Sequence, residues 1–328
     1  MIVAGIDEAG YGPLLGPLVV GCSAFEVPRG TDARHLPCLW KLLHKFISKN
    51  RTQAGKKLHV NDSKVVYSPA GGLKELERAV LAICQAMHVD GKVDPLCNLI
   101  ALLRSTAPDV VDELAAYPWY NAYDSEPFPL EQEALSIRLF ANALRAEMQR
   151  QDVRCVYFSA RVAPERKFNQ MVDATRNKAS ALFSMAAMHL DHLLRNFGEQ
   201  DLVVMCDRQG GRAHYGSLLR LMFEEWSLEI DHEQDGHSEY HLARNGHMVR
   251  IIFCEKAEAQ CMPVALASML SKYLREALMH RFNAYWKRHL PDILPTAGYY
   301  GDGQRFLQDI ELKRRELGIA DGQLIRCR

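Results

Sequence analysis

No apolar stretch in these 328 residues is long enough to cross a bilayer. There is no CxxC pair and no Cys/His pattern at zinc spacing, although nine cysteines are present. A scattered, odd-numbered set in a chain this long reads as reduced thiols. Acids stand near the N-terminus where a signal peptide would carry basic residues. These absences lead to the expectation of a soluble, cytoplasmic protein with no membrane partner. Net charge is also missing: 40 Lys and Arg balance 40 Asp and Glu. That excludes a broadly basic coating protein, though not a local charged groove. Internal repeats and low-complexity tracts are absent too. An apolar content of 48% suits an ordinary globular core, and no linker divides the chain.

Strands are expected at 2–7 (IVAGID), 18–27, 153–164 and 201–207 (DLVVMCD), with a hairpin around Asn245-Gly246. Helices are expected at WKLLHKFI, from about Gly72, at 129–150 and from Asn177 to a C-cap at Gly198. Further helices are expected at 211–226, continuously from Glu258 to Trp286, and after a GYYGDG turn. Residues 90–130, rich in Pro, Asp and Tyr, give no clear assignment. RTQAGKK reads as an exposed loop. Strands mixed with long helices indicate an α/β fold.

Three apolar segments end in acids: Asp7 with Glu8, Asp207, and the Glu255/Glu258 pair after IIFC. Strands lying side by side would bring these acids to one sheet edge. Converging carboxylates repel, and a divalent cation relieves the repulsion. All-oxygen ligands suit Mg²⁺ or Mn²⁺. Two such ions are a known device for in-line displacement at phosphorus. The plainer alternative is that the acids cap helices or pair with arginines.

GIDEAGYGPLLGPLVVG resembles the signature of the type 2 ribonuclease H family (ribonuclease HII/HIII). The likeness continues in order through NDSKVVYS, VYFSARVAPERKFNQMVDAT, DLVVMCD, EAQCMPVALASMLSKYLREALM and AGYYGDG, and covers roughly half the chain. The resemblance implies an α/β, ribonuclease H-like fold: a mixed β-sheet flanked by helices, with inserted segments and a C-terminal helical extension. The catalytic domain would span 1–290, with insertions at about 28–58, 90–130 and 208–250. Residues 291–328 would add a substrate-contacting turn and helix on the same domain. The implied activity is metal-dependent cutting of RNA in RNA–DNA hybrids or ribonucleotide-containing duplex DNA, by a monomer, leaving 3′-OH and 5′-phosphate ends.

By position, Asp7, Glu8, Asp207 and Glu258 would be catalytic metal ligands, with Glu255 the alternative fourth acid. Gly10, Tyr11 and Gly12 would face the substrate, the glycines admitting a ribose to the backbone. Tyr299 would join them in sensing the 2′-OH. Ser63, Lys64 and Lys272 would meet phosphates. Arg275 and Glu276 would support the site from behind. Plainer roles stand beside these: a helix cap for Ser63, a solvated helix face for Lys272, a packed ring for Tyr299.

Tyr11 stands where the family's Gly-Arg-Gly has arginine, so no guanidinium at that position can grip a phosphate. Arg208 and Arg212 are nearby candidates for the charge. The basic stretch 41–57 is either a duplex contact or a solvated surface. Two rival readings are a catalytically weak relative that binds hybrids or recruits partners, and a related nuclease acting on another nucleic acid.

Overall fold

The computed structural model describes residues 1–29, 36–53, 55–87, 94–121 and 127–327. Parts of the 28–58 and 90–130 segments, including Ala54 of the RTQAGKK stretch, lie outside the described residues. Seven strands form the main sheet: β1 Ile2–Ala9, β2 Leu18–Glu26, β3 Arg154–Ala163, β4 Leu202–Asp207, β5 Ser227–Gln234, β6 His237–Arg244 and β7 His247–Cys254. Their order is β3-β2-β1-β4-β7-β6-β5. β1, β4 and β7 run parallel, and the other pairings are antiparallel. This is the expected α/β class, a mixed sheet flanked by helices.

The helices used below are α1 Ser63–Val66, α2 Lys74–Met87, α3 Ala134–Arg150, α4 Glu165–Thr175, α5 Lys178–Phe197, α6 Gly216–Met222, α7 Ala257–Gln260, α8 Met262–His289, α9 Tyr300–Glu316 and α10 Asp321–Leu324. Apolar side chains on the two faces of the sheet form two core clusters, α8 lying over one and α5 over the other. Among the described residues no helix is long and apolar enough to cross a membrane.

Helix α8 sits unusually close to the sheet, and small residues allow it. A Cβ added at Gly5 would lie 2.1 Å from the Val264 backbone nitrogen. One added at Gly21 would lie 2.5 Å from the Ala267 carbonyl. Ser23, the cross-strand partner of Gly5, donates its hydroxyl to the Pro263 carbonyl at 2.8 Å. The glycines thus act by close approach rather than by special backbone angles.

Several elements differ from the sequence reading. WKLLHKFI is helical only over Leu39–Leu42 and then enters a two-residue strand, Ile47–Ser48, paired with Leu58–His59. The helix expected at 211–226 contracts to α6, and the chain from Ser227 forms β5, an extra edge strand. The helix expected from Glu258 to Trp286 breaks at Cys261, which is extended. Pro263 explains the break, because it has no N–H to give the Ala259 carbonyl. That carbonyl instead accepts from Lys49 Nζ at 2.5 Å, bringing the basic insertion against α7. GYYGDG is a turn only to Tyr299; Tyr300 already begins α9. Asp302 closes its first turn, accepting from the Ala297 N–H at 2.9 Å and the Thr296 hydroxyl at 2.5 Å. The Asn245-Gly246 hairpin forms as expected, both residues having positive φ.

Substituting Gly5→Ala forces the sheet and α8 apart. We expect a loss of about 3 kcal/mol or more in urea unfolding. Gly301→Ala, in open space on α9, should stay within about 0.5 kcal/mol of the parent.

Candidate metal centre

The parallel strands β1, β4 and β7 end at one edge of the sheet. Ile6 pairs with Cys206, and Asp207 with Cys254, so Asp7 and Asp207 follow adjacent registered pairs. Beyond β7 the chain turns sharply through Lys256 in the left-handed region and enters α7, which carries Glu258. The Ala257 N–H at the start of α7 donates to Asp207 Oδ1 at 3.1 Å. Asp7, Glu8, Asp207 and Glu258, from distant parts of the sequence, therefore share one edge. Ligand sites outside the carboxyl ends of parallel strands are a general property of open α/β sheets.

Electrostatics mark these acids as mutually frustrated. Burial, then Glu8 and Asp207, push the Asp7 carboxyl well above its ordinary value. Glu8 is pushed up to about 8 by burial and Asp207, with Lys64 opposing. Burial also raises Asp207, against the Ala257 N–H and Glu258. Glu258 is pushed up to about 7 by burial and by Asp207, to which it is hydrogen-bonded. Glu8 Oε2 and Glu258 Oε2 are buried without a hydrogen-bond partner. Orphaned oxygens of this kind are costly unless a cation meets them. The donor set is all oxygen, the chemistry that suits Mg²⁺ or Mn²⁺, although no three of these acids bring ligand oxygens within 4.8 Å of one another in this structure.

Glu255, the alternative fourth acid, is exposed and paired with Arg208. Its backbone N–H donates to the Gly236 carbonyl at 2.9 Å. Arg208 also binds Asp235 and the Gly211 carbonyl, so its charge is taken up locally.

Around the acids, Asp62 caps α1, accepting from the Lys64 N–H at 2.9 Å. The capping residue is thus Asp62, not Ser63. Ser63 is buried, and its hydroxyl accepts from Ser268 Oγ at 2.9 Å. The Lys64 ammonium feels Asp7, Asp207 and Glu258; together with Asp62 they outweigh its burial and raise it. Lys272 is not a solvated surface residue. It donates to Glu276 at 2.6 Å and lies 4.4 Å from the centre of the Tyr67 ring. Glu276 also accepts from Arg275 at 3.3 Å.

The glycine loop is held from beneath by Arg275 and by two residues the sequence reading did not single out, Arg326 and Glu165. Gly10 has positive φ, and a Cβ there would meet Arg275 and the Pro17 carbonyl. Gly12 has nothing within 4 Å of its Cβ direction, so its backbone stands open. Arg326 is buried and donates to the Gly10 carbonyl and, at 3.1 Å, to the Tyr11 carbonyl. Arg275 donates to the Ala297 carbonyl at 2.9 Å. Glu165, wholly buried, accepts from the Gly16 N–H at 3.1 Å and the Tyr120 hydroxyl at 3.0 Å. Burial pushes Glu165 up to about 7. Its position just after Pro164, at a strand–helix junction, was the available signal; Arg326 offered none. Tyr11 is half-buried, with Lys178 Nζ 4.9 Å from its ring centre. Tyr299 is exposed, with the Arg275 guanidinium 5.9 Å from its ring centre.

No family model matches the sequence. No curated protein matches it. Solved structures similar to it include a chain of the PCNA:RNase HII complex from Archaeoglobus fulgidus. That match has 15% identity and a TM-score of 0.42, covering 100% of this chain and 95% of that one. Ribonuclease H2 from Pyrococcus horikoshii is similar at 13% identity and a TM-score of 0.40, covering 99% and 92%. Aquifex aeolicus RNase H3 is similar at 12% and 0.38, covering 99% and 71%. The side chains described above carry the functional reading by themselves.

The raised carboxyls have a thermodynamic consequence. Between the ordinary glutamate value of 4.5 and about 8, folded Glu8 keeps a proton that the unfolded chain has released. Stability therefore falls as pH rises through that window. Glu8→Gln removes this dependence. The difference between parent and variant in metal-free urea unfolding should grow by about 2 kcal/mol from pH 4.5 to pH 8, the variant being more stable.

Proposed function

We propose that this chain is a divalent-metal-dependent endonuclease that hydrolyses RNA in RNA–DNA hybrids. The observation that carries the proposal is the gathering of four frustrated acids at the ends of β1, β4 and β7, beside an open glycine loop. Asp7, Glu8, Asp207 and Glu258 would hold Mg²⁺ or Mn²⁺, Glu8 and Glu258 presenting their unpartnered oxygens. Such ions, when bound, supply an activated water and charge stabilisation at phosphorus.

The chain's own groups supply recognition and proton handling. Lys64 sets a positive charge beside the acids, where a phosphate would otherwise be repelled. Ser63 holds the short helix carrying Lys64 against α8 through Ser268. Gly12 leaves the loop backbone open to a ribose, while Arg275 and Arg326 fix the loop from behind. Tyr299, exposed beside Arg275, would meet a 2′-OH, the group that distinguishes RNA from DNA. Lys272 is held by Glu276 and Tyr67 and supports Arg275's surroundings rather than reaching outward. In the metal-free protein the Glu258 carboxyl is pushed up to about 7, so a cation binding there would displace its proton.

A labelled RNA–DNA hybrid tests the proposal. The parent should cut it in Mg²⁺ or Mn²⁺, yielding 5′-phosphate and 3′-OH ends, and EDTA should stop the reaction. Asp7→Asn should lower the rate by about three orders of magnitude or more while the protein stays folded. Full activity in Asp7→Asn, or cleavage indifferent to chelation, would overturn the metal-site assignment. Tight hybrid binding without cleavage would instead support a binding protein. Because Tyr11 offers no guanidinium, a continuous hybrid should be cut faster than a duplex with one embedded ribonucleotide. The reverse preference would refute that role of Tyr11.

A further inference from the structure

The β5–β6 hairpin carries a group of side chains unrelated to the four acids. Among the described residues, His232, His237 and Glu239 form the one set of three His, Cys, Asp or Glu side chains whose ligand atoms all lie within 4.8 Å. His232 pairs directly with Glu239 across the ladder, and His237 lies two residues before Glu239 on β6. Period-two alternation puts all three on one face. On the opposite face, Ser238 and Tyr240 are buried and anchor the hairpin. Ser238 donates to the Ala213 carbonyl at 2.5 Å, and the Tyr215 N–H donates to Tyr240 at 2.8 Å.

We propose that His232, His237 and Glu239 form a second cation site, for a borderline divalent ion of the Zn²⁺ kind. Two imidazoles and a carboxylate, with a position left for water, are a known zinc ligand set. The spacing suits an ion better than direct bonding. His237 Nε2 stands 3.8 Å from Glu239 Oε2. That is too long for a hydrogen bond and near the roughly 3.3 Å that separates ligands around tetrahedral zinc. The His232 and His237 rings stack in parallel with centroids 4.8 Å apart, so one ring turns about its χ2 for both in-plane lone pairs to meet one ion.

Two features orient the ligands. His232 Nδ1 lies 2.7 Å from Asp231 Oδ2, which holds the proton on Nδ1 and leaves Nε2 a free lone pair. Carboxylate–histidine pairs of this kind commonly stand behind metal ligands. Neighbouring residues of a regular strand point to opposite faces, so this pair needs a distortion. The ladder shifts register between Ile230 and His232, and the bulge leaves Asp231 without a cross-strand partner. Bulges re-aim side chains in this way. Arg250 grips Glu239 through both carboxylate oxygens, fixing its plane while one lone pair on each oxygen remains. Mg²⁺ would not choose this set, because imidazole favours later first-row ions.

Zn²⁺ titration calorimetry of the full chain in excess Mg²⁺ tests the proposal. Wild type should bind one Zn²⁺ per chain, and Asp7→Asn should bind it equally. His237→Ala and the double variant His232→Ala/His237→Ala should lose at least about tenfold in affinity, as should Asp231→Asn. The two imidazoles are solvent-accessible, so unchanged circular dichroism and melting without metal would show that these variants fold. Bound Co²⁺ should show visible d–d bands without thiolate charge transfer, which separates this site from the cysteines. Histidine variants that bind like wild type, thiolate bands, or binding lost in Asp7→Asn but kept in His237→Ala would each overturn the proposal.

Discussion

The contact on which the rest depends is that of α8 with β1 and β2. Without side chains at Gly5 and Gly21, the helix backbone comes directly onto the sheet, and its register is set within a fraction of a turn. Everything α8 contributes near the acids follows from that register. Ser271 Oγ reaches the Asp7 carbonyl at 3.1 Å, and Ser268 hydrogen-bonds the Asp7 carboxyl and Ser63. One turn further along, Arg275 fills the space beneath Gly10. A helix held by larger side chains would stand away and lose all four contacts together. The short α7 ahead of it depends on the same seating, since Pro263 and Cys261 fix where α7 ends.

Against this rigid background the acids are a deliberate local conflict. Buried carboxyls normally find donors, yet here burial raises all four, and neighbouring acids add to the rise at Asp7, Glu8 and Glu258. Below the loop the opposite arrangement holds. Two buried guanidiniums, Arg275 and Arg326, are spent on backbone carbonyls of the loop and its neighbour, with Glu165 close by. The loop is thus tied down on its inner side and open at Gly12 on its outer side. Conflict concentrated at one edge of an otherwise consistent fold is the pattern expected of a functional site.

What the sequence made legible was local and periodic. β1 ending in Asp7-Glu8, β4 ending in Asp207, and the Asn245-Gly246 hairpin each follow from a pattern within ten residues. The break at Cys261 was marked by Pro263, but the strong apolar periodicity on both sides concealed it. The start of α9 was hidden by Gly301 and Gly303, which resemble turn residues; Asp302 between them ties the first turn back to Thr296 and Ala297. β5 was missed because it is an exposed edge strand with little apolar alternation. Arg326 could not be read at all, and Glu165 was marked only by the Pro164 before it. Their roles arise from contacts spanning 316 and 149 residues, which no local pattern encodes.

The inserted hairpin is not a passive appendage to this site. Arg208 follows Asp207 directly and binds both Asp235, at the β5–β6 turn, and Glu255, after β7. The Glu255 N–H meets the Gly236 carbonyl of the same turn. One arginine therefore joins the tip of the hairpin to the two segments that deliver Asp207 and Glu258. The Arg208 charge is consumed in these two pairs. Lys178, at the start of α5, stands 4.9 Å from the centre of the Tyr11 ring, and Arg326 donates to the Tyr11 carbonyl. Charge beside the glycine loop is thus supplied by elements distant from it in the sequence.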